Sequence, residues 1–299
     1  MVVGITGASG FIGGHIRNQA AERGLVSIGF SRNANRELDH CDSVRGFQQD
    51  AVPDLAGLDA IIHLAGESIL GVWTDAKKQR IYDSRILTTR RIFEGLEKLP
   101  EEARPKTLIS ASAVGIYGDS GDEWVDESAA TGEGFLAKVT HDWEAEATRV
   151  AELGVRVATV RIGFVVGKEG ALPLMARAFQ FGAGGNLGSG EQWMPWVHAA
   201  DLAGTFLFAL ENTDISGTIN AVAPTPATNA VFTKAVGSQL NRPTLFPAPS
   251  WALKALPGGM SEIFLYSMRV KPSVLQQAQF EWRYPELDDA IAAALSPNT

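Results

Sequence analysis

The sequence predicts an α/β fold, an open and mostly parallel sheet with helices on both faces, and three observations carry that prediction. Short apolar runs rich in Val and Ile recur as far as Ile162, segments of helical period lie between them, and a glycine cluster joins the first run to the first helical segment. Parallel neighbours need a crossover connection, so strand and helix must alternate in this way.

The strand-like runs are Val2 to Thr6, Val26 to Phe30, Ala60 to Leu64, Thr107 to Ser110 and Val155 to Ile162. Continuous apolar character over so few residues suits strands buried on both faces. Between them, Ile12, Ile16 and Ala20 recur at four-residue spacing, a long helical run covers Asp75 to Leu99, and Trp143, Ala147 and Ala151 repeat the pattern. After about Gly167 the alternation weakens, and Gly182 to Gly190 followed by Trp193, Pro195 and Trp196 reads as a loop-rich substrate region. Prolines at 243, 247, 249 and 257 mark a second shift, beyond which Lys271 to Phe280 and Glu286 to Leu295 read as short helices. The expected division is a nucleotide-binding domain over 1–242, with substrate-region insertions from about 167, and a small C-terminal domain over 243–299.

At 299 residues with 45% apolar content, the chain can bury a substantial core and corresponds to one large domain with a modest appendage. Its 26 Lys plus Arg against 34 Asp plus Glu give a net charge of -8, with no basic run longer than a pair such as Lys77-Lys78. Nucleic acid is therefore not an expected partner. Cys41 stands alone, which fits a reducing compartment. With no signal-like start and no run of about 18 apolar residues, the expectation is a soluble, cytoplasmic protein with no membrane span.

The strongest chemical signal is Thr6-Gly7-Ala8-Ser9-Gly10-Phe11-Ile12-Gly13, glycines spaced three apart after a predicted strand and before a predicted helix. Gly7 suits the tight turn, Gly10 lets backbone approach a pyrophosphate, and Gly13 lets the helix pack closely on the strand. The pyrophosphate would lie on the helix N-terminus among Ser9 to Gly13. This is the signature of a Rossmann-type dinucleotide site. At the end of the second strand, where an acidic residue would pair with the ribose hydroxyls of NAD, the chain has Ser31-Arg32. A guanidinium with a neighbouring hydroxyl suits the 2′-phosphate of NADP, so the expected cofactor is NADP(H). Leu64, Ala65 and Gly66 are small enough at a strand end to leave room for a cofactor ribose, and His63 before them reads as a buried, satisfied histidine.

Together with Ser110-Ala111-Ser112, Tyr117-Gly118 and Trp196 to Asp201, these motifs resemble the extended short-chain dehydrogenase/reductase superfamily. The Ser-Arg pair, the Gly188 to Trp193 stretch and the C-terminal appendage are similar to its atypical, epimerase-like branch. The resemblance covers nearly the whole chain and implies hydride transfer, with a Ser orienting substrate, a Tyr as acid or base, and a Lys four residues on. Ser112 matches the Ser, but the Tyr falls on Phe135 and the Lys on Val139. Neither replacement can move a proton or carry a charge. Lys138, Tyr117, Glu67 and Glu127 are the candidate substitutes, Lys138 because it shares a helix face with the position it would replace.

Arg161, at a strand's carboxyl end, is a candidate cofactor or substrate contact. Gln192, Trp193 and Trp196 either stack on and hydrogen-bond a cyclic substrate or pack the core. His198 and Asp201 read as caps of a helix near Ala200. The five histidines are scattered, so no metal site is expected. The leading expectation is an NADP(H)-dependent oxidoreductase or epimerase acting on a small carbonyl, hydroxyl or sugar. The competing one is a non-catalytic NADP(H)-binding regulator or redox sensor, for example one linked to cell division, acting through a protein partner. Homodimers are common for this architecture, but composition does not show one.

Overall fold

The structure, a computed structural model, describes residues 1–296. The chain runs through β1 (Val2–Thr6), α1 (Phe11–Glu22), β2 (Val26–Ser31), β3 (Ser43–Gly46), β4 (Ala60–His63), α2 (Asp75–Glu97), β5 (Thr107–Ala113), β6 (Trp124–Val125), α3 (Phe135–Thr148) and β7 (Arg156–Ile162). It continues through β8 (Phe164–Val166), α4 (Ala171–Gln180), β9 (Trp193–Met194), β10 (Trp196–His198), α5 (Ala199–Glu211), β11 (Gly217–Ala221), β12 (Ala227–Thr228) and α6 (Asn229–Leu240). The C-terminal segment adds α7 (Ser250–Lys254), α8 (Ser261–Leu265), β13 (Arg269–Val270), α9 (Ser273–Gln277) and α10 (Leu287–Leu295).

Seven strands form one sheet in the order β11-β7-β5-β4-β1-β2-β3, parallel throughout. The strand order reverses direction between β1 and β4, where Thr6 pairs with Phe30 on one side and His63 on the other. A crevice at the carboxyl ends of the strands is the usual ligand position at such a reversal. Helix α1 packs on α5, and α2 on α3. The central apolar cluster joins Ile5 and Ile62 of the sheet to Ile16, Leu202 and Phe206. A second cluster sets Ile61 and Leu108 against Ile92 and Leu96 of α2.

Two strands of the seven-stranded sheet escape a reading based on apolar runs. Edge strand β3 is Ser-Val-Arg-Gly and only partly buried, while β11 carries Thr218 and Asn220. The stretch after Gly167 also holds more regular structure than expected, adding α4, α6 and the last sheet strand to the helix expected near Ala200, α5. Helix α5 buries residues around its whole circumference, from Ala199 to Leu210, which erases the amphipathic period that identifies surface helices. The C-terminal segment packs into the same cores as the rest of the chain. Leu275 joins the central cluster, while Leu287, Ala290 and Ile291 pack with Phe232 and Val236. Among the described residues, no helix is long and apolar enough to cross a membrane.

Candidate functional site

The turn between β1 and α1 is shaped by its three glycines. Gly7 has φ +67°, and a Cβ there would stand 3.1 Å from the Leu64 carbonyl carbon. The Gly10 N–H donates to the Gly7 carbonyl at 2.9 Å, closing the turn. A Cβ on Gly13 would lie 2.4 Å from that same carbonyl oxygen, so α1 sits as close to the turn as a bare backbone allows. No side chain caps α1 and no acidic residue occupies its first turn. Its leading N–H groups and the positive end of its dipole therefore meet Ser9 and Gly10, both exposed. Phe11 is half-buried and closes the crevice side, its ring filling the space a Cβ on Gly167 would take. Ile12 packs toward the central cluster.

The floor of the crevice is fixed by a hydrogen-bonded chain. Thr6 Oγ1 accepts the N–H groups of Leu64 and Ala65 at 3.1 and 3.2 Å and is 2.7 Å from His63 Nδ1. His63 Nε2 lies 2.9 Å from Thr89 Oγ1, whose proton goes to the Arg85 carbonyl. With Thr89 donating onward, the ring must donate from Nε2 and accept from Thr6 at Nδ1, which is the neutral tautomer. Burial pushes the His63 pKa down to about 3, in agreement. His63 thus holds the ends of β1 and β4 together, through hydroxyl partners instead of the backbone.

Around this floor stand cations of different accessibility. Arg32 is exposed and its guanidinium has no hydrogen-bond partner among the described residues, while Ser31 Oγ accepts the Asn33 N–H at 3.2 Å. Glu67 follows Gly66, and its hydrogen bond from Lys77, at 2.8 Å, holds its pKa below the usual carboxylate value, with Arg80 and Arg32 adding to the effect. Arg85, which carried no sequence signal, lies against Gly66 and donates to the carbonyls of Glu67 and Ile81 at 3.0 Å. Its guanidinium stacks 5.2 Å from the Trp143 ring, and burial lowers its pKa to about 10.

A second polar cluster lies at the ends of β5, β7 and β11. Ser112 Oγ donates to Glu144 Oε1 at 2.5 Å, and Arg161 grips both oxygens of the same carboxylate at 2.8 and 2.9 Å. Arg161 also donates to the Tyr117 hydroxyl at 2.9 Å, and Tyr117 donates to Asn220 Oδ1 at 2.7 Å. Burial raises the Tyr117 pKa to about 12 against the opposing pull of Arg161. Ser112 and Tyr117, expected to face a substrate, are 2% and 4% exposed with their hydroxyls engaged, and Arg161 is committed to Glu144. Glu127, a candidate proton carrier, instead accepts the N–H groups of Asn220 and Val274 and ties β11 to α9.

Other candidate positions also take structural work. Lys138 pairs with Asp142 at 2.8 Å on the solvent side of α3, Phe135 packs edge-on to Trp73 at 5.2 Å, and Val139 is buried beside Trp73 and Ile81. Gln192 spends its amide N–H groups on the carbonyls of Leu187 and Phe264. Trp193 bonds Asp122 with Arg269 over its ring, and Trp196 is 1% exposed, a core residue bonded to the Thr225 carbonyl. His198 does cap α5, accepting the Ala200 N–H, whereas Asp201 receives the N–H groups of Arg283 and Tyr284 from the C-terminal segment. No group of three His, Cys, Asp or Glu among the described residues could hold a metal.

The model of the NAD dependent epimerase/dehydratase family matches residues 3–221. The chain belongs to that family. Residues 248–294 match a domain of unknown function, DUF1731. Among curated relatives, the epimerase family protein YfhF of Bacillus subtilis is 36% identical over 99% of this chain and 98% of its own length. A chloroplastic SDR39U1 homolog of Arabidopsis thaliana is 36% identical over 99% of this chain and 87% of its own. The human epimerase family protein SDR39U1 (isoform 2), solved with NADPH, superposes with a TM-score of 0.87 at 31% identity, covering 98% of this chain and 99% of that one. This member of the epimerase/dehydratase family thus has a Rossmann-type fold whose glycine cradle and uncapped helix N-terminus suit the pyrophosphate of a nicotinamide dinucleotide.

Proposed function

We propose that this chain binds NADPH at the β1–α1 turn and uses it to interconvert a small carbonyl and its alcohol. The observation that carries the reading is the uncapped α1 N-terminus together with an exposed Arg32, which makes no hydrogen bond among the described residues, where an NAD site would carry a carboxylate. The backbone of Gly7 to Gly13 would take the pyrophosphate, Ser31 and Arg32 the 2′-phosphate, and Leu64 to Gly66 the ribose. That the human relative was solved with NADPH supports the cofactor choice. Bound there, the reduced nicotinamide supplies hydride.

A second reading, an NADP(H)-binding regulator, is favoured by one specific arrangement. Phe135 and Val139 pack apolar surface where the superfamily's Tyr and Lys would act, and Lys138 is held by Asp142. The deciding experiment is single-turnover oxidation of bound NADPH across a panel of aldehydes, ketones, sugars and quinones, after saturation is confirmed by calorimetry. Saturable, compound-selective oxidation is the expected result. Tight NADPH binding with no oxidation by any compound moves the assignment to the regulator.

A further inference from the structure

Arg85, on α2, carries a charge that the fold leaves without a counter-ion. It makes no ion pair among the described residues, and the charge that acts on it is that of Glu67. That carboxylate is already shared: Lys77 bonds it at 2.8 Å, Arg80 Nε lies 3.9 Å away, and Arg32 adds its field. Four cations therefore stand around one carboxylate, in a chain whose net charge is -8. Holding a partly buried cation in this way is costly, and an arriving anion offsets the cost.

The guanidinium is also fixed in orientation. Nη1 spends its N–H groups on the carbonyls of Glu67 and Ile81 at 3.0 Å. The group lies over the Trp143 ring at 5.2 Å, and a Cβ on Gly66 would stand 3.3 Å from Cζ, so α3 and the chain after β4 close in on it. What remains is the edge formed by Nε and Nη2, neither of which has a hydrogen-bond partner among the described residues. Neither nitrogen is among the buried polar atoms that lack a partner, so this edge reaches solvent. Two parallel N–H groups on one edge match the paired oxygens of a carboxylate or a phosphate.

Three contacts place that edge at the cofactor crevice. Gly66 follows Leu64 and Ala65, whose N–H groups bond Thr6, and Leu64 abuts Gly7 in the glycine turn. The Arg85 carbonyl accepts the Thr89 hydroxyl, which in turn meets His63 in the crevice floor. Val139, where the resemblance expects a lysine, clusters with Ile81, the residue whose carbonyl Arg85 bonds. The positive charge absent from α3 is thus present on the facing helix.

We propose that the Nε/Nη2 edge of Arg85 is an oxyanion receptor in the crevice, taking two oxygens of the cofactor pyrophosphate or of a carboxylate on the substrate. The inference rests on the reading of the crevice as an NADPH site. Even with its pKa lowered to about 10, the guanidinium stays charged at neutral pH, so its role is to bind and orient, with no proton passing through it.

The test uses the full chain, labelled with ¹⁵N for NMR, and the variants Arg85→Met and Arg85→Lys. NADPH is titrated first; acetate is then titrated into the NADPH-saturated chain, with acetamide as its uncharged isostere. The Arg85 Nε–H resonance, assigned by its loss in both variants, should shift with the ligand that supplies the oxyanion. Arg85→Met should weaken that ligand about tenfold, and Arg85→Lys, which keeps the charge but not the fork, should recover part of the loss. An effect on NADPH identifies the pyrophosphate, and an effect on acetate alone, absent with acetamide, identifies a substrate carboxylate. A purely structural role would lower the melting temperature without moving the resonance. A resonance that neither ligand moves, or affinities for both that survive Arg85→Met, overturns the receptor. If the wild-type chain fails to bind NADPH, the function on which the inference rests falls, and inorganic phosphate titrated into the unloaded chain, read at the same resonance, decides the receptor separately.

Discussion

Glu262 and Phe135 meet across 127 residues of sequence, the carboxylate of α8 accepting the Phe135 N–H at 3.1 Å and the Leu136 N–H at 3.2 Å. Helix α3 begins at Gly134 with no cap of its own, and the C-terminal segment supplies it. A carboxylate suits the positive end of a helix, so one contact stabilises α3 and docks α8 together. Glu262→Ala should cost about 0.5–2 kcal/mol, the range for removing an N-cap acceptor. Chemical denaturation measures the loss. Hydrogen exchange should rise together at the start of α3 and across α8, and a rise confined to α8 would separate the two roles.

The Glu144–Arg161 pair gives a sharper stability prediction. Arg161 is 7% exposed and holds both carboxylate oxygens. Arg161→Met strands Glu144 in that environment and should cost about 3–5 kcal/mol, whereas Ser112→Ala removes only one of several donors to Glu144 and should cost about 1 kcal/mol. Urea midpoints of the two variants check the ranking.

Acid should destabilise the fold through its buried histidines. The folded pKa of His63 is about 3, that of His198 about 4, and both lie below the ordinary value of 6.5. Between those limits the unfolded chain binds protons that the folded chain does not. Stability is therefore complete above about pH 6.5 and falls as pH drops, by up to about 1.4 kcal/mol per pH unit for each histidine. His63→Gln should flatten the measured slope between about pH 6 and pH 4. An unchanged slope would assign the acid sensitivity elsewhere.

Cofactor selectivity is tested at Arg32. Arg32→Asp should shift preference from NADPH toward NADH by at least tenfold, about 1.4 kcal/mol, with the melting temperature preserved because the side chain has no hydrogen-bond partner among the described residues. Paired fluorescence titrations of the two nucleotides read this directly.

Gly13→Ala separates packing from binding. Its added methyl would meet the Gly7 carbonyl oxygen at 2.4 Å and Ala8 Cα at 2.8 Å, both backbone atoms. The helix must back away from the turn, at about 1–3 kcal/mol in stability and with loss of NADPH binding. Calorimetry and titration on one sample measure both.

By itself, the sequence determined what local chemistry controls: the parallel α/β fold, the turn at Gly7, Gly10 and Gly13, and the cation at Arg32 in place of a carboxylate. Backbone freedom, hydrophobic period and charge type are properties of neighbouring residues, so they can be read along the chain. The tertiary structure alone decided which side chains remain available. Ser112 and Tyr117 belong to motifs, yet Glu144, Arg161 and Asn220 occupy their hydroxyls, with partners as far as 103 residues apart. Arg85 belongs to no motif, yet it lies beside Gly66 with one edge of its guanidinium open. Whether a polar group is satisfied depends on contacts between distant segments, and those exist only once β5, β7 and β11 have paired and α2 has packed on α3.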